Sequence, residues 1–181
     1  MVLFVQGCAP GLGKRLQVKG VLSPEAKIDF QDASHCAGKA VRVGSFEDRR
    51  SYSEVGEIDG RLLQPEGNAA LGAQWFMEKL LRTARVQTGL VTGPWLVGQI
   101  LDWRVRVIPG FPTTKAEAEA SVRIELRDEG YGVLYAATYA GRGQAEHPFM
   151  TQTKVEEVLA DAMWVALSGV IDDQELWSRI R

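Results

Sequence analysis

Four places in this 181-residue chain combine residue types that can carry chemistry. Cys8 follows a short apolar run, and Gly13-Lys14 closes a glycine-containing stretch directly after it. His35-Cys36 forms an adjacent pair, and Asp172-Asp173 follows a long apolar-patterned segment near the C-terminus. In that order, the residue types suit acylation of a thiol, phosphate binding, nucleophilic catalysis and binding of a divalent cation. Each chemistry makes its own demand on the neighbouring sequence.

Cys8 stands in a pattern similar to a lipobox, in which an apolar, a variable and a small residue precede an obligatory cysteine. Here these are Val5, Gln6 and Gly7. Gly7 leaves room for a peptidase at the scissile bond, and the Cys8 thiol is the nucleophile that accepts a diacylglyceryl group. A signal peptide also has a basic region and about 7–15 apolar residues, and the apolar run here is shorter. We therefore expect residues 1–7 to be the remnant of a lipoprotein signal peptide, cleaved between Gly7 and Cys8. The alternative is a flexible tail in which Cys8 has no role.

The stretch Pro10-Gly11-Leu12-Gly13-Lys14 offers a second interpretation, a phosphate-binding loop in a nucleotide-dependent phosphotransferase. A P-loop has a glycine five residues before the Gly-Lys pair and a serine or threonine directly after it. Cys8 and Arg15 hold those positions here, so the hydroxyl that binds Mg²⁺ is absent. The helix that must follow is also not predicted, because Gly20 and Pro24 interrupt the segment. We expect no nucleotide cofactor.

The other two candidates lack the partners that their chemistry needs. A Cys–His catalytic pair requires a third orienting group, and neighbours such as His35 and Cys36 rarely face each other. Asp172-Asp173 is expected at the end of a helix, since a divalent cation needs several converging oxygen atoms. The sequence therefore predicts no enzyme, no catalytic residue, no metal site and no cofactor.

The two cysteines predict two exclusive outcomes. If Cys8 carries lipid, Cys36 has no second cysteine to pair with, which in an oxidising compartment implies burial or an intermolecular disulfide. If Cys8 carries no lipid, a Cys8–Cys36 disulfide becomes possible.

Composition indicates one globular domain and excludes several classes of function. Lysine plus arginine number 21 and aspartate plus glutamate 23, which gives a net charge of −2 and a pI near 5.8. This balance argues against nucleic acid as a partner, because proteins that bind the phosphate backbone carry a basic excess. No apolar run in the sequence approaches the ~18 residues of a membrane-spanning helix.

Alternation of apolar and polar residues predicts the strands. The main strands are expected over residues 40–46, 95–108, 118–127 and 132–140. In the second of these, the inward face is predicted to carry Val97, Leu101, Trp103, Val105 and Val107. Within the polar stretch 47–68, Asp59-Gly60 suits a tight hairpin turn. A short edge strand is expected at either residues 16–18 or residues 28–30.

Helical spacing predicts two amphipathic helices and a short third one. The first covers about residues 69–87, with Asn68 as its N-cap. The second begins near Thr153, whose spacing to Glu156 suits a capping box. Its apolar stripe is Val155, Leu159, Ala162, Met163, Ala166 and Val170. The tail helix carries Leu176, Trp177 and Ile180.

The predicted fold class is α+β in two layers. A mostly antiparallel sheet, in β-α-β-β-β-α order, has both helices packed on its apolar face because a one-sided sheet must cover that face. We expect residues 8–38 to be an N-terminal tether and residues 39–181 to form the single folded domain.

Three aromatic residues beside prolines are candidate partner contacts. Trp95 follows Gly93-Pro94, Phe111 precedes Pro112, and Phe149 follows a proline. Exposed aromatic side chains are enriched at protein interfaces. The tryptophans on patterned elements are instead expected in the core, and these are Trp75, Trp103 and Trp164.

The body of the chain resembles the YajG-type lipoproteins of Gram-negative bacteria. The resemblance covers roughly residues 39–181 and rests on turns and burial patterns at residues 46–50, 58–61, 75–81, 118–126 and 135–139 and in the final helix. It implies a non-enzymatic, periplasm-facing domain that is held at a membrane by acyl chains such as palmitate on Cys8. Ala9, directly after the cysteine, implies release to the outer membrane under the sorting rule of that family. We expect a binding or assembly module with a protein partner in the envelope. Accessory lipoproteins of ABC-type transporters have a similar architecture and are the alternative.

Overall fold

The computed structural model describes residues 16–19 and 33–180. Within these ranges the strands are β1 (Leu16–Lys19), β2 (Arg42–Asp48), β3 (Gly56–Ile58), β4 (Arg61–Glu66), β5 (Trp95–Ile108), β6 (Thr114–Arg127) and β7 (Val133–His147). The helices are α1 (Ala69–Thr83), α2 (Gln152–Asp172) and α3 (Gln174–Ser178).

The main sheet has the strand order β2-β5-β6-β7. Strands β5, β6 and β7 pair antiparallel, and β2 pairs parallel with β5. Helix α1 packs on β2, while α2 packs on β6 and β7. A smaller sheet has the order β1-β4-β3. The predicted two-layer α+β fold is confirmed.

Helix α2 lies directly on the backbone of β7. A Cβ atom added at Gly141 would come within 3.0 Å of backbone atoms of Ala162 and Ala166, and one at Gly143 would come within 3.0 Å of the Val158 carbonyl oxygen. No real side chain tolerates such distances, so these two glycines set how closely the helix approaches the sheet.

The prediction for the inward face of β6 is confirmed, whereas the prediction for β5 is wrong in the first half of the strand. Ala118, Ala120, Val122, Ile124 and Leu126 are all buried, as alternation predicts. In β5 the buried positions are Leu96 and Ile100 in the first half and Trp103 and Val105 in the second half.

The cause is a bulge in β5. The register against β6 shifts between Ile100 and Asp102, which inserts one residue and reverses the side-chain alternation. Leu101, predicted to face inward, is therefore 39% exposed, and Val97 is only half-buried. Strict alternation fails wherever one strand gains a residue over its partner.

The first helix begins as predicted and ends early. The Asn68 side chain accepts hydrogen bonds from the N–H groups of Ala70 and Leu71. Arg85 takes a left-handed conformation with φ 60°, and the N–H of Val86 donates to the Leu81 carbonyl at 2.9 Å. This pattern terminates a helix, and it frees the following residues to run back to the sheet.

The capping box predicted for the last helix is wrong. Thr151 is the N-cap of α2, and its hydroxyl accepts from the N–H of Lys154 at 3.3 Å, whereas Thr153 lies inside the helix. The predicted apolar stripe is buried throughout. Asp173 ends α2 and caps α3 by accepting from the N–H of Leu176 at 3.1 Å, which confirms the predicted helix-end turn.

The hairpin turn in the polar stretch is confirmed. Asp59 and Gly60 have φ values of 50° and 72°, and they connect β3 and β4. Positive φ at both central residues is what a type I′ turn requires. The edge strand expected at residues 16–18 is confirmed as β1, while the alternative at residues 28–30 lies outside the described residues.

The burial of the cysteine and tryptophan side chains agrees with the sequence predictions in some cases and not in others. Cys36, in the segment expected to be a tether, is fully buried in the core. Trp103 is buried, with its ring N–H donating to the Leu159 carbonyl at 3.0 Å, and Trp164 packs partly buried against the core. Trp75 is 51% exposed, so the core prediction for it is wrong. It faces away from the sheet, beside the Lys79 ammonium.

Candidate functional site

The predicted site residues fall into three places. Gly7 and Cys8 lie outside the described residues, as does the glycine-rich stretch 10–14. Trp95 lies where β5 begins and β6 ends, a region that we call the Trp95 end. Phe111 and Phe149 lie at the opposite end of the sheet, in the β5–β6 and β7–α2 connections, and we call this the Phe111 end.

At the Trp95 end the aromatic ring is held by surrounding groups. The Trp95 ring N–H donates to the Asp128 carbonyl at 3.1 Å, and the ring of Tyr131 meets it edge-on with centroids 5.2 Å apart. The Arg42 guanidinium lies 5.2 Å from the Trp95 centroid and donates to the Gly93 carbonyl. Trp95 is therefore half-buried and fixed in place, which makes it a structural residue rather than an open contact.

At the Phe111 end the aromatic rings are open. Phe111 is 99% exposed and Phe149 is 79% exposed. Both belong to connections that leave the sheet side by side, since Thr114 at the start of β6 pairs with His147 at the end of β7. The His147 ring is hydrogen-bonded to the backbone of Phe149. These two of the three predicted contact residues thus lie together at one end.

A groove of about 700 Å³ opens at the Phe111 end. We call it the hairpin groove; the residues that line it are 57–60, 105–107, 109, 114 and 148–150. One wall is the β3–β4 hairpin, the floor is the last part of β5, and the other wall is the β7–α2 connection with Phe149. Its volume lies within the ~300–1,000 Å³ range of ligand pockets.

Close backbone contact between the hairpin and β5 builds this groove. The N–H of Val105 donates to the Val55 carbonyl at 2.6 Å. Gly56 has φ 153°, and a Cβ there would lie 2.5 Å from the Val105 carbonyl oxygen, so glycine alone permits the approach. Residues 57–60 of the hairpin and residues 105–107 of β5 both line the groove.

The exposed face of the main sheet is charged and internally paired. Glu119 pairs with Arg104 and Arg142 at 3.4 and 3.6 Å. Glu125 is bound by Arg127 at 2.6 Å and by Arg123 at 3.0 Å, and the hydrogen bond from Arg127 is the main reason that the pKa of Glu125 lies below its usual value. Exposed ion pairs of this kind each contribute about 0–1 kcal/mol to stability.

A polar cluster near the Trp95 end ties α3 to the sheet. The carboxylate of Asp173 accepts from the hydroxyls of Tyr139 at 2.5 Å and Tyr135 at 3.0 Å. Burial opposes the charged carboxylate, but these hydrogen bonds and the one from the Leu176 N–H outweigh it and lower the pKa of Asp173. Burial, reinforced by Asp173, raises the pKa of Tyr139. The cluster is fully engaged in holding the fold.

In residues 16–19 and 33–180, no group of three or more histidine, cysteine, aspartate or glutamate side chains is placed to hold a metal ion. None of the helices in that part of the chain is long and apolar enough to cross a membrane.

No protein-family model and no curated protein matches the sequence. Among solved structures, protein XCC0632 from Xanthomonas campestris, of family DUF330, is similar with a TM-score of 0.58 at 8% identity. That match covers 86% of this chain and 92% of the other. At this identity it shows a shared fold alone.

Two weaker similarities are to a minor lipoprotein from Acinetobacter baumannii and a putative lipoprotein from Caulobacter crescentus CB15. The first has a TM-score of 0.48 and 11% identity over 78% of this chain and 95% of the other. The second has a TM-score of 0.44 and 15% identity, and the match covers 58% of this chain and 82% of the other. Neither carries an argument about function, and the resemblance to YajG-type proteins stays a prediction.

The sequence missed most of the groove. Phe149 and the Asp59-Gly60 turn were found because aromatic residues beside proline and turn dipeptides are local signals. Ile58, Val107 and Met150 were missed because nothing in their neighbouring residues indicates that they converge.

Proposed function

We propose that this protein is a lipid-anchored, non-enzymatic binding module of the bacterial cell envelope. Acylated Cys8 holds it at the outer membrane, from which the folded domain faces the periplasm. The lipobox-like stretch that ends at Cys8 supports the anchor. The open hairpin groove supports the binding role.

The observation that carries the proposal is where the chain enters the fold. Strand β1 pairs parallel with β4, with Leu16 beside Leu63, so its first residue lies nearest the hairpin turn at Asp59-Gly60. The hairpin turn lines the groove at the Phe111 end. Cys8 precedes Leu16 by eight residues, which span at most about 29 Å when fully extended. An anchor on Cys8 therefore restricts how far the Phe111 end can lie from the bilayer.

This placement gives the exposed Phe111 a role. A tether makes contact between the domain and the bilayer intramolecular, so a weak apolar contact is enough to orient the domain. Phe111, almost fully exposed at a loop tip beside Pro112, supplies such a contact. The hairpin groove then opens close to the membrane surface, where segments of other envelope proteins are found.

The anchor is tested by the intact mass of the protein purified from its native membrane. We expect an N-terminus at Cys8 that carries the mass of acyl chains. An unmodified chain beginning at Met1 in the soluble fraction would contradict the anchor. A chain with Cys8→Ser serves as the control and should be found in the soluble fraction.

The orientation is tested by photo-crosslinking in the anchored protein. Benzoylphenylalanine replaces Phe111 in one variant and Val91 in another; Val91 is 88% exposed and lies at the Trp95 end. We expect lipid adducts mainly from position 111. Equal adducts from both positions would contradict the orientation, and protein adducts shared with a transporter subunit would favour the accessory role.

A further inference from the structure

The edge of β5 that faces away from β6 is hydrogen-bonded by a different segment at each stage along the strand. β2 pairs with it as far as Ile100, where the N–H of Arg49 donates to the Ile100 carbonyl at 2.9 Å. Beyond the bulge, the Trp103 N–H donates to the Tyr52 hydroxyl at 3.4 Å. The Val105 N–H donates to the Val55 carbonyl at 2.6 Å. Each outward-facing position of the strand to this point therefore has a partner.

Val107 is the next outward-facing position and lies at the floor of the hairpin groove. In an antiparallel pair, successive residues turn their N–H and C=O groups alternately toward and away from the partner strand. Val105 turns its N–H away from β6, so Val107 does the same, opposite Ala116. Among the residues that the structure places, none hydrogen-bonds to these outward groups of Val107.

The walls of the groove suit an extended chain with apolar side chains. Ile58 on the hairpin and Met150 on the opposite wall pack with the core, and Pro109 and the exposed ring of Phe149 form the rim. Such walls offer pockets for the side chains that alternate along a strand, while the edge of β5 offers hydrogen bonds to its backbone. A compact polar ligand would leave both features unused.

From this geometry we infer that the hairpin groove binds an extended, largely apolar segment of a partner protein, which adds a short strand to β5 through the N–H and C=O of Val107. The inference rests on the binding role proposed above and is independent of the anchor. Two acidic residues, Glu57 and Asp59, and one basic residue, Arg106, also line the groove, so segments with a basic residue should bind better than segments with an acidic one.

The test uses the full chain with Cys8→Ser and a displayed library of random nine-residue peptides. Binders are compared on Val107→Pro, which removes the outward N–H without breaking the β5–β6 ladder, because proline is tolerated where the N–H faces away from the sheet. We expect affinity to fall about three- to tenfold, the worth of a hydrogen bond. Val91→Ala, at the Trp95 end, should leave affinity unchanged.

A second experiment changes the peptide instead of the protein, so its result does not depend on how a protein variant folds. Each selected peptide is remade with one backbone N-methyl group at a time, and methylation at the residue that pairs with Val107 should weaken binding by a similar factor. Binders that tolerate every N-methyl group, or that lose affinity on Arg104→Ala rather than on Phe149→Ala, would overturn the inference. So would a library that yields no binder while sedimentation shows two copies of the chain joined through the groove. None of these outcomes bears on the mass of Cys8, so the anchor and the groove fail or stand separately.

Discussion

The two ends of this molecule carry the same kind of local sequence and use it differently. At the Trp95 end, a tryptophan after Gly93-Pro94 is fixed by Arg42, Asp128 and Tyr131. At the Phe111 end, a phenylalanine before Pro112 is 99% exposed. An aromatic residue beside proline thus indicates a loop at the edge of the fold. Whether that residue is structural depends on which distant side chains reach it.

The two ends also differ in how far their polar groups are hydrogen-bonded. The polar groups near Trp95 are hydrogen-bonded to one another, down to the N–H of Gly93, which donates to Glu129 at 2.5 Å. At the Phe111 end the rings of Phe111 and Phe149 are exposed, and none of the residues that the structure describes hydrogen-bonds to the outward groups of Val107. We therefore expect the first end to maintain the fold, and we propose the second as the surface for contacts.

Removing the Trp95 ring should have the largest effect. Trp95→Ala removes a half-buried ring, its hydrogen bond and its contact with Arg42, and we expect the free energy of unfolding to fall by ~2–3 kcal/mol. Urea denaturation measures this. Trp95→Phe keeps an aromatic ring, although a smaller one, and loses the bond to the Asp128 carbonyl, so it should cost less, about 1 kcal/mol. A loss below 0.5 kcal/mol for Trp95→Ala would show that this end is as open as the other.

Asp173→Asn should have the next largest effect and should depend on pH. It weakens the cap of α3 and the bonds from Tyr135 and Tyr139, so we expect a loss of ~1–2 kcal/mol near pH 7. Because the folded-state pKa of Asp173 is lowered from 3.8, its charge stabilises the fold above about pH 4. That contribution is lost as the pH falls through the folded-state value.

Thermal or urea unfolding between pH 2 and pH 7 checks this prediction. The difference in stability between wild type and Asp173→Asn should be constant above pH 5 and shrink below pH 4. Asp172→Asn, at the exposed neighbouring position, is the matched control and should change stability little at any pH. A difference that grows as the pH falls would contradict the role of the charged carboxylate.

Substitution at the Phe111 end should hardly affect stability. Phe111→Ser and Phe149→Ser remove exposed rings, so each should change the free energy of unfolding by no more than about 0.5 kcal/mol. Differential scanning calorimetry on the full chain measures this. A loss comparable to that of Trp95→Ala would mean that the Phe111 end also maintains the fold, and the division between the ends would be wrong.

The smallest effect is expected on the charged face of the sheet. Arg142→Ala removes an exposed side chain 3.6 Å from Glu119, which keeps its second partner Arg104. Exposed ion pairs contribute about 0–1 kcal/mol, so we expect a change of ~0.3 kcal/mol that 0.5 M salt abolishes. A larger change in the free energy of unfolding that persists in salt would show that Arg142 stabilises the fold by more than an exposed ion pair.

Local patterns were enough to predict most of the secondary structure. The buried faces of β6 and α2, the Asn68 cap and the Asp59-Gly60 turn follow from side-chain periodicity and from the backbone preferences of single residues. The sequence could not predict the bulge at Leu101, because Ile100 and Leu101 are both apolar and Leu101 continues the odd-numbered apolar series of Trp103, Val105 and Val107. It also could not predict the end of α1, where the left-handed turn falls on Arg85 rather than on a glycine.

The positions of most strands and helices follow from the amino-acid sequence alone, because they depend on neighbours within a few residues. The surroundings of the exposed aromatic residues and of the β5 edge depend instead on how distant elements pack. The hairpin groove combines three segments that are distant along the chain, residues 57–60, 105–114 and 148–150. The outward direction of Val107 depends on a one-residue shift in β5. Such convergence depends on packing between elements, which periodicity within one element does not encode.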